Sequence, residues 1–118
     1  MRESQSASEP IELRAPRGAR VLEIDWSDGT TARYPHVLLR GFCPCAHCQG
    51  HHGPVRWVEG TEQADLELAE VEEVGNYAVR LGWGDGHSTG IYTFAFLREL
   101  AALAELDPAE ARAARLVR

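Results

Sequence analysis

The 118-residue sequence contains no lysine, no long apolar segment, and only three cysteines. All twelve basic residues are arginines, and eighteen acidic residues give a formal net charge of −6. Nucleic-acid-binding proteins neutralise phosphates with clustered lysine and arginine, and a net acidic chain of this kind lacks that surplus. The composition therefore argues against a nucleic-acid partner and is that of an ordinary globular domain.

Apolar runs are short throughout the chain. No stretch approaches the roughly 20 residues that a helix needs to span a bilayer, and residues 1–10 are polar, unlike a secretory signal. We therefore expect a cytoplasmic protein with no membrane partner. Thiols stay reduced in the cytoplasm, so clustered cysteines there indicate metal or redox chemistry more often than a disulfide.

The three cysteines, Cys43, Cys45 and Cys48, fall within six residues in the pattern C-x-C-x-x-C. Thiolates are soft ligands that suit zinc and iron–sulfur clusters. The two-residue spacer of the second pair lets both sulfurs turn to one ion, and Cys43 lies one residue upstream across Pro44. A structural zinc site needs four protein ligands, so the pattern predicts three quarters of such a site.

His87 is the predicted fourth ligand among the five histidines. It lies in a glycine-flanked turn that can approach another loop, and Asp85 beside it could orient the imidazole. A distant fourth ligand would connect two parts of the fold, which a near neighbour would not. The alternatives that stay open are His47, His51 and His52, although an ordinary solvent or hydrogen-bonding role is expected for His36 and His52.

Two hairpins are predicted, one on each side of the cysteine loop. Arg20–Trp26 alternates apolar and polar residues, an Asp-Gly turn follows, and Thr31–Tyr34 returns as its partner. Asn76–Trp83 has the same alternation, and Leu66–Val74 precedes it with a phase shift near Val71 that indicates a bulge or a frayed end. A short edge strand at Ile11–Leu13 and one or two helical turns at His36–Arg40 complete this part.

Helical spacing follows the second hairpin. Tyr92–Leu103 has a wide apolar stripe, with Ser88 or Thr89 as its predicted cap. Asp107 and Pro108 begin a shorter helix that is predicted to end at Leu116. The pattern predicts an α+β fold: a mostly antiparallel sheet of two hairpins with one main helix packed on it. Its predicted organisation is a disordered tail (1–10), one domain (11–106) and a C-terminal helix (107–118).

Four segments resemble the gamma-butyrobetaine hydroxylase-like N-terminal domain family, a domain of unknown function that includes stand-alone bacterial members. They are Tyr34–Arg40, Gly41–Gly50, Val74–Val79 and Gly84–Tyr92. The resemblance covers roughly residues 11–103. It implies one zinc ion bound by Cys43, Cys45, Cys48 and His87. Some similar domains are attached to Mrp-type iron–sulfur carrier ATPases, which implies such an ATPase as a partner.

The hydroxylase activity itself is not implied for this chain. Such oxygenases need a two-His-one-carboxylate iron site, and no histidine here is followed two residues later by an acid. The chain is also too short for the catalytic barrel. We therefore expect no catalytic residues and no carnitine-type substrate.

Three hypotheses follow for the metal site. The first is a non-catalytic zinc-binding accessory domain that binds a protein partner or a second copy of itself. The second is an iron–sulfur cluster assembly or carrier factor that uses the cysteines to hold iron or a labile cluster. The third is a hydrolytic enzyme with an open zinc position and Asp85 as its general base. Inert buried cysteines and a redox C-x-x-C pair are the simpler alternatives.

Overall fold

The computed structural model describes residues 9–50, 53–59 and 66–116, and it confirms the α+β class. The strands of this part are β1 (Pro10–Arg14), β2 (Val21–Trp26), β3 (Thr31–Pro35), β4 (Val55–Arg56), β5 (Leu68–Val74), β6 (Ala78–Trp83), β7 (Gly90–Thr93) and β8 (Arg115–Leu116). The helices are α1 (His36–Gly41), α2 (Ala46–Gln49), α3 (Phe94–Leu103) and α4 (Pro108–Arg112).

The first hairpin belongs to an antiparallel sheet in the order β1-β2-β3. Its register places Leu22 opposite Tyr34 and Ile24 opposite Ala32. All four side chains are buried, as the period-2 pattern predicts for a strand with one face on the core. Gly29 closes the β2–β3 turn at φ 91°, a conformation that glycine adopts without steric cost.

The second hairpin belongs to a separate antiparallel sheet in the order β5-β6-β7. The described part of the chain therefore has two three-stranded sheets, with one predicted hairpin in each. The β5–β6 register shifts between Leu68 and Glu70, at the start of β5 and not near Val71 as the sequence suggested. The acidic strand β5 lies at the sheet edge, and its residues 69–73 are exposed.

The predicted cap of the main helix at Ser88 or Thr89 is wrong. Residues 90–93 form β7, in which Tyr92 pairs with Val79 of β6 and is fully buried. The backbone N–H and C=O groups of residues 90–93 can form ladder hydrogen bonds with β6, so the helix begins only at Phe94. Thr93 is its cap, and its Oγ1 accepts a hydrogen bond from the backbone N–H of Phe96 at 3.0 Å.

Helix α3 packs its apolar stripe into the core, as predicted. Its buried residues are Phe96, Leu97, Leu100 and Leu103. The hydroxyl of Tyr34 on β3 donates to the carbonyl of Leu97 at 2.7 Å, which joins the helix to the first sheet. No helix among the described residues combines the length and apolar character needed to cross a membrane.

The C-terminal helix is shorter than predicted. Asp107 caps α4 through a hydrogen bond from the N–H of Ala109 at 3.1 Å, and the helix ends at Arg112. Leu116 then pairs with Val55 in the two-stranded β4–β8 sheet, where both side chains are buried. At the other end, residues 1–8 of the predicted tail lie outside the described part, and Pro10 begins β1.

Candidate metal centre

The cysteine loop is shaped by a four-residue helix that the sequence did not predict. Cys45 precedes α2, and its carbonyl accepts hydrogen bonds from the N–H groups of Cys48 and Gln49 at 3.1 and 3.0 Å. This single helical turn brings Cys48 back toward Cys45. A helix of this length leaves little periodicity to detect, particularly next to Pro44 and Gly50.

His87 is presented by the tight turn between β6 and β7. Its carbonyl accepts a hydrogen bond from the N–H of Trp83 at 2.8 Å, and its N–H donates to Oδ1 of Asp85 at 2.9 Å. Gly86 allows the chain to reverse, since its φ of 91° lies in the left-handed region. The turn therefore holds the imidazole at the end of a buried strand.

The structure places the four predicted residues around one point. Nε2 of His87 lies 3.2 Å from Sγ of Cys43, 3.6 Å from Sγ of Cys45 and 3.5 Å from Sγ of Cys48. The four donor atoms all lie within 4.8 Å of one another. This group of three thiols and one imidazole can hold a metal ion.

These separations match what one tetrahedral zinc ion requires. Zinc binds thiolate sulfur at about 2.3 Å and imidazole nitrogen at about 2.0–2.1 Å, so a tetrahedral angle separates sulfur from nitrogen by about 3.5 Å. The three observed sulfur–nitrogen distances lie between 3.2 and 3.6 Å. Cys43, Cys45, Cys48 and His87 would therefore hold the ion with little rearrangement.

Burial affects the three thiols differently. It raises the pKa of Cys43 far above the ordinary range, because this side chain is fully buried. Burial also raises the pKa of Cys48. For Cys45 burial acts in the same direction, but hydrogen bonds led by that of the Thr89 hydroxyl outweigh it, so the pKa of Cys45 is lowered. Metal ligation requires thiolates, so loading this site would release protons from the buried thiols.

Gln49 fixes the cysteine loop to β4. Its Nε2 donates to the carbonyls of Cys43 and Arg56 at 3.0 and 2.9 Å, and its Oε1 accepts from the N–H of Arg56 at 3.0 Å. The amide is buried with all of these bonds made, which rigidifies the backbone that carries Cys43. Sequence reasoning missed Gln49, because one polar residue after a cysteine pair has no distinctive pattern.

Asp85 acts on the His87 turn through a backbone contact. Besides accepting from the N–H of His87, its carboxylate accepts a hydrogen bond from Nε of Arg40 at 3.0 Å. Thr89, which the sequence suggested as a helix cap, lies instead at the site with Oγ1 3.5 Å from Nε2 of His87. Arg40 and Thr89 are thus two further residues of the site that sequence reasoning missed.

Strand β7 approaches Cys43 closely at Gly90. A Cβ atom at this position would lie 2.6 Å from Sγ of Cys43 and 2.9 Å from the ring of Tyr92. Such contacts are well inside van der Waals distance, so a larger residue would displace the sulfur or the ring. Glycine at this position lets the β7 backbone pack directly against the buried cysteine.

His36, the one other histidine whose side chain the structure describes, lies outside the Cys43–Cys45–Cys48–His87 group. The His36 side chain is buried. Its Nδ1 lies 3.5 Å from the carbonyl oxygen of Leu66, and its ring contacts the Trp83 ring edge-on. His47 belongs to α2, but its side chain lies outside the described part of the structure, as do residues 51 and 52.

Comparison with known proteins identifies the family. The gamma-butyrobetaine hydroxylase-like, N-terminal family matches residues 13–98. The chain belongs to this family. It is similar to a crystal structure of a protein of unknown function from Acidithiobacillus ferrooxidans, of the DUF971 family, with 42% identity and a TM-score of 0.65. That match covers 80% of this chain and 93% of the other.

Two solution structures extend the likeness in fold. One is 30% identical, with a TM-score of 0.73 over 99% of this chain and 92% of the other. The second is 28% identical, with a TM-score of 0.69 over 89% and 82% of the two chains. Each of these proteins is therefore matched over most of its own length.

Proposed function

We propose that this chain is a non-catalytic zinc-binding domain that presents a surface to a protein partner. The observation that supports zinc most directly is the convergence of four donor atoms within 4.8 Å, from two loops 39–44 residues apart in sequence. When bound, zinc would supply a redox-inert cross-link between the cysteine loop and the β6–β7 turn.

The spacing of the donors favours a single ion over an iron–sulfur cluster. Two donors on one tetrahedral zinc ion lie about 3.5–3.8 Å apart, as Nε2 of His87 does from each sulfur to within about 0.3 Å, whereas a cluster inserts several atoms between ligands on different irons. The donor atoms here lie within 4.8 Å of one another. A cluster would require the loop to open.

The ligand set also argues against hydrolysis. Catalytic zinc has three protein ligands and an open position for water, whereas four residues converge here. Asp85, the acid suggested as a general base, has its carboxylate engaged by Arg40 and by the N–H of His87. Neither the open position nor a free base is therefore supported.

We propose a role in protein association because a centre closed by four side chains has no open position for a substrate. If four side chains fill every position on the metal, function depends on the surface of the protein. The partner we propose for this surface is an Mrp-type iron–sulfur carrier ATPase. Isothermal titration of the zinc-loaded chain into the purified ATPase tests this. Saturable binding in the micromolar range or tighter supports the proposal, and heats equal to those of dilution contradict it.

Elemental analysis of untagged, anaerobically purified protein tests the metal. We expect one zinc per chain, no colour, and loss of the zinc in Cys45→Ser and His87→Ala. A brown protein that absorbs near ~400 nm and contains iron would instead support the assembly or carrier function. Unchanged zinc content in His87→Ala would show that this residue is not the fourth ligand.

A further inference from the structure

Arg40 lies between the cysteine loop and the His87 turn. Its Nε donates to Oδ2 of Asp85 at 3.0 Å, and its Nη1 donates to Sγ of Cys48 at 3.7 Å. The ion pair is shielded from solvent, since the side chains of Arg40 and Asp85 are only 11% and 12% exposed. In the Arg98–Asp28 pair, by comparison, both side chains are 32% exposed.

These contacts form a continuous chain between two of the four donors. Cys48 on α2 contacts Arg40 on α1, Arg40 contacts Asp85, and Asp85 accepts the backbone N–H of His87. Because the guanidinium is a planar fork of donors, one side chain can bind the carboxylate and the sulfur together. The two loops are thus joined by side chains of the protein itself.

The charge of Arg40 suits a metal-loaded site. Three thiolates and a neutral imidazole around a divalent ion leave one net negative charge inside a partly buried centre. A guanidinium stays protonated at all working pH values, and a charge-assisted N–H···S hydrogen bond stabilises the thiolate that accepts it. Groups that hydrogen-bond to metal ligands set ligand orientation and metal affinity.

We propose that Arg40 is the positioning residue of the metal centre. It orients Cys48 directly and the His87 turn through Asp85, and it offsets the excess negative charge of the bound thiolates. This inference rests on the proposed metal site and adds to it a determinant of how long the ion is retained.

The test uses the full chain loaded with Co²⁺, whose sulfur-to-metal charge-transfer band reports the donor strength of the thiolates. Wild type is compared with Arg40→Gln, Arg40→Lys, Asp85→Asn and the matched control Arg98→Gln, which removes an ion pair elsewhere. The band energy and the rate of metal transfer to a chromogenic chelator are measured for each protein.

In Arg40→Gln we expect a shift of the band to lower energy, because the sulfur loses its charged donor. Loss of such a supporting contact typically lowers metal affinity about 10–100-fold, so we expect metal release to be faster by up to about the same factor. Arg40→Lys should partly restore both values, Asp85→Asn should fall between wild type and Arg40→Gln, and Arg98→Gln should match wild type.

Equal band energies and release rates in wild type and Arg40→Gln would overturn the role of Arg40 while leaving the metal centre intact. If wild type takes up neither Co²⁺ nor Zn²⁺, the metal centre itself fails, and this inference fails with it. If Arg40→Gln does not fold, the Asp85→Asn variant provides the test. A band energy and a metal-release rate of Asp85→Asn identical to those of wild type would overturn the proposal.

Discussion

Nε2 of His87 lies 3.2 Å from Sγ of Cys43, although 44 residues separate the two in sequence. Cys43 follows helix α1, and His87 lies in the turn between β6 and β7. A metal ion bound by both would therefore cross-link two loops that the polypeptide itself joins only through a long intervening segment. Stability should then depend on the metal, which the first prediction tests.

Metal removal should destabilise the domain strongly. We expect a zinc chelator to lower the melting temperature of wild type, and zinc to restore it, because structural zinc sites contribute directly to folding. Cys45→Ser should cost at least about 3 kcal/mol, or roughly 10 °C in a domain of this size. Differential scanning calorimetry with and without chelator provides the measurement.

The chelator and the substitution should not be additive, since both remove the same interaction. Chelator should leave the melting temperature of Cys45→Ser unchanged. A Cys45→Ser variant that melts like wild type would contradict the structural role of the metal.

Gly90→Ala should destabilise the protein through the buried sulfur. The new methyl group would lie 2.6 Å from Sγ of Cys43, and overpacking of this kind typically costs about 1–3 kcal/mol. Urea unfolding of the zinc-loaded protein measures the loss. Gly84→Ala is the matched control, because its Cβ would meet no atom closer than the Glu67 carbonyl oxygen at 3.6 Å. Equal unfolding free energies for the two variants would refute this packing argument.

Gln49→Leu should loosen the cysteine loop. The substitution leaves the carbonyl of Cys43 and both backbone groups of Arg56 without the amide that binds them. An unsatisfied buried polar group costs about 1–3 kcal/mol. We expect a lower urea midpoint and faster zinc loss. Gln49→Glu should be no better, since a carboxylate cannot donate to the two carbonyls. Wild-type stability in both variants would show that this amide does not hold the loop.

Asp25 should make the first sheet sensitive to acid. Hydrogen bonds from Arg14 and then Thr31 lower the pKa of Asp25 from 3.8 to about 2. A carboxyl with a depressed folded-state pKa contributes stability above its ordinary pKa and loses it as the pH falls through the folded value. The difference in the free energy of unfolding between wild type and Asp25→Asn should therefore have its maximum value at pH 5 and decrease between pH 3.8 and pH 2. A pH-independent difference would contradict this assignment.

The grouping of three cysteines with His87 could be predicted from the sequence, because the cysteines are close together and His87 lies in a glycine turn. The cysteine spacing and the glycine-flanked turn are each local in the sequence, so both can be recognised without the tertiary structure. The hairpin strands were equally accessible, since Leu22, Ile24 and Trp26 share the buried face of β2. The grouping of these strands into two separate sheets could not be predicted from the sequence, because strand pairing depends on contacts between residues distant in sequence.

The missed features depend on tertiary context. Residues 90–93 read as the start of a helix, but pairing with β6 makes them a strand. Asp85 was expected beside His87, but its contact with Arg40 was missed, because only the fold brings Nε of Arg40 and Oδ2 of Asp85 to 3.0 Å. Likewise, β8 is only two residues long, too short for any periodic pattern.

The coordination of the bound metal tests the central claim most directly. X-ray absorption at the zinc edge of the purified protein should show three sulfur neighbours at about 2.3 Å and one nitrogen at about 2.0–2.1 Å. His87→Ala should lose the zinc, so its zinc-edge signal should fall to the background. A spectrum with iron–iron scattering, or a zinc shell with an oxygen in place of the nitrogen in wild type, would contradict a closed structural zinc centre.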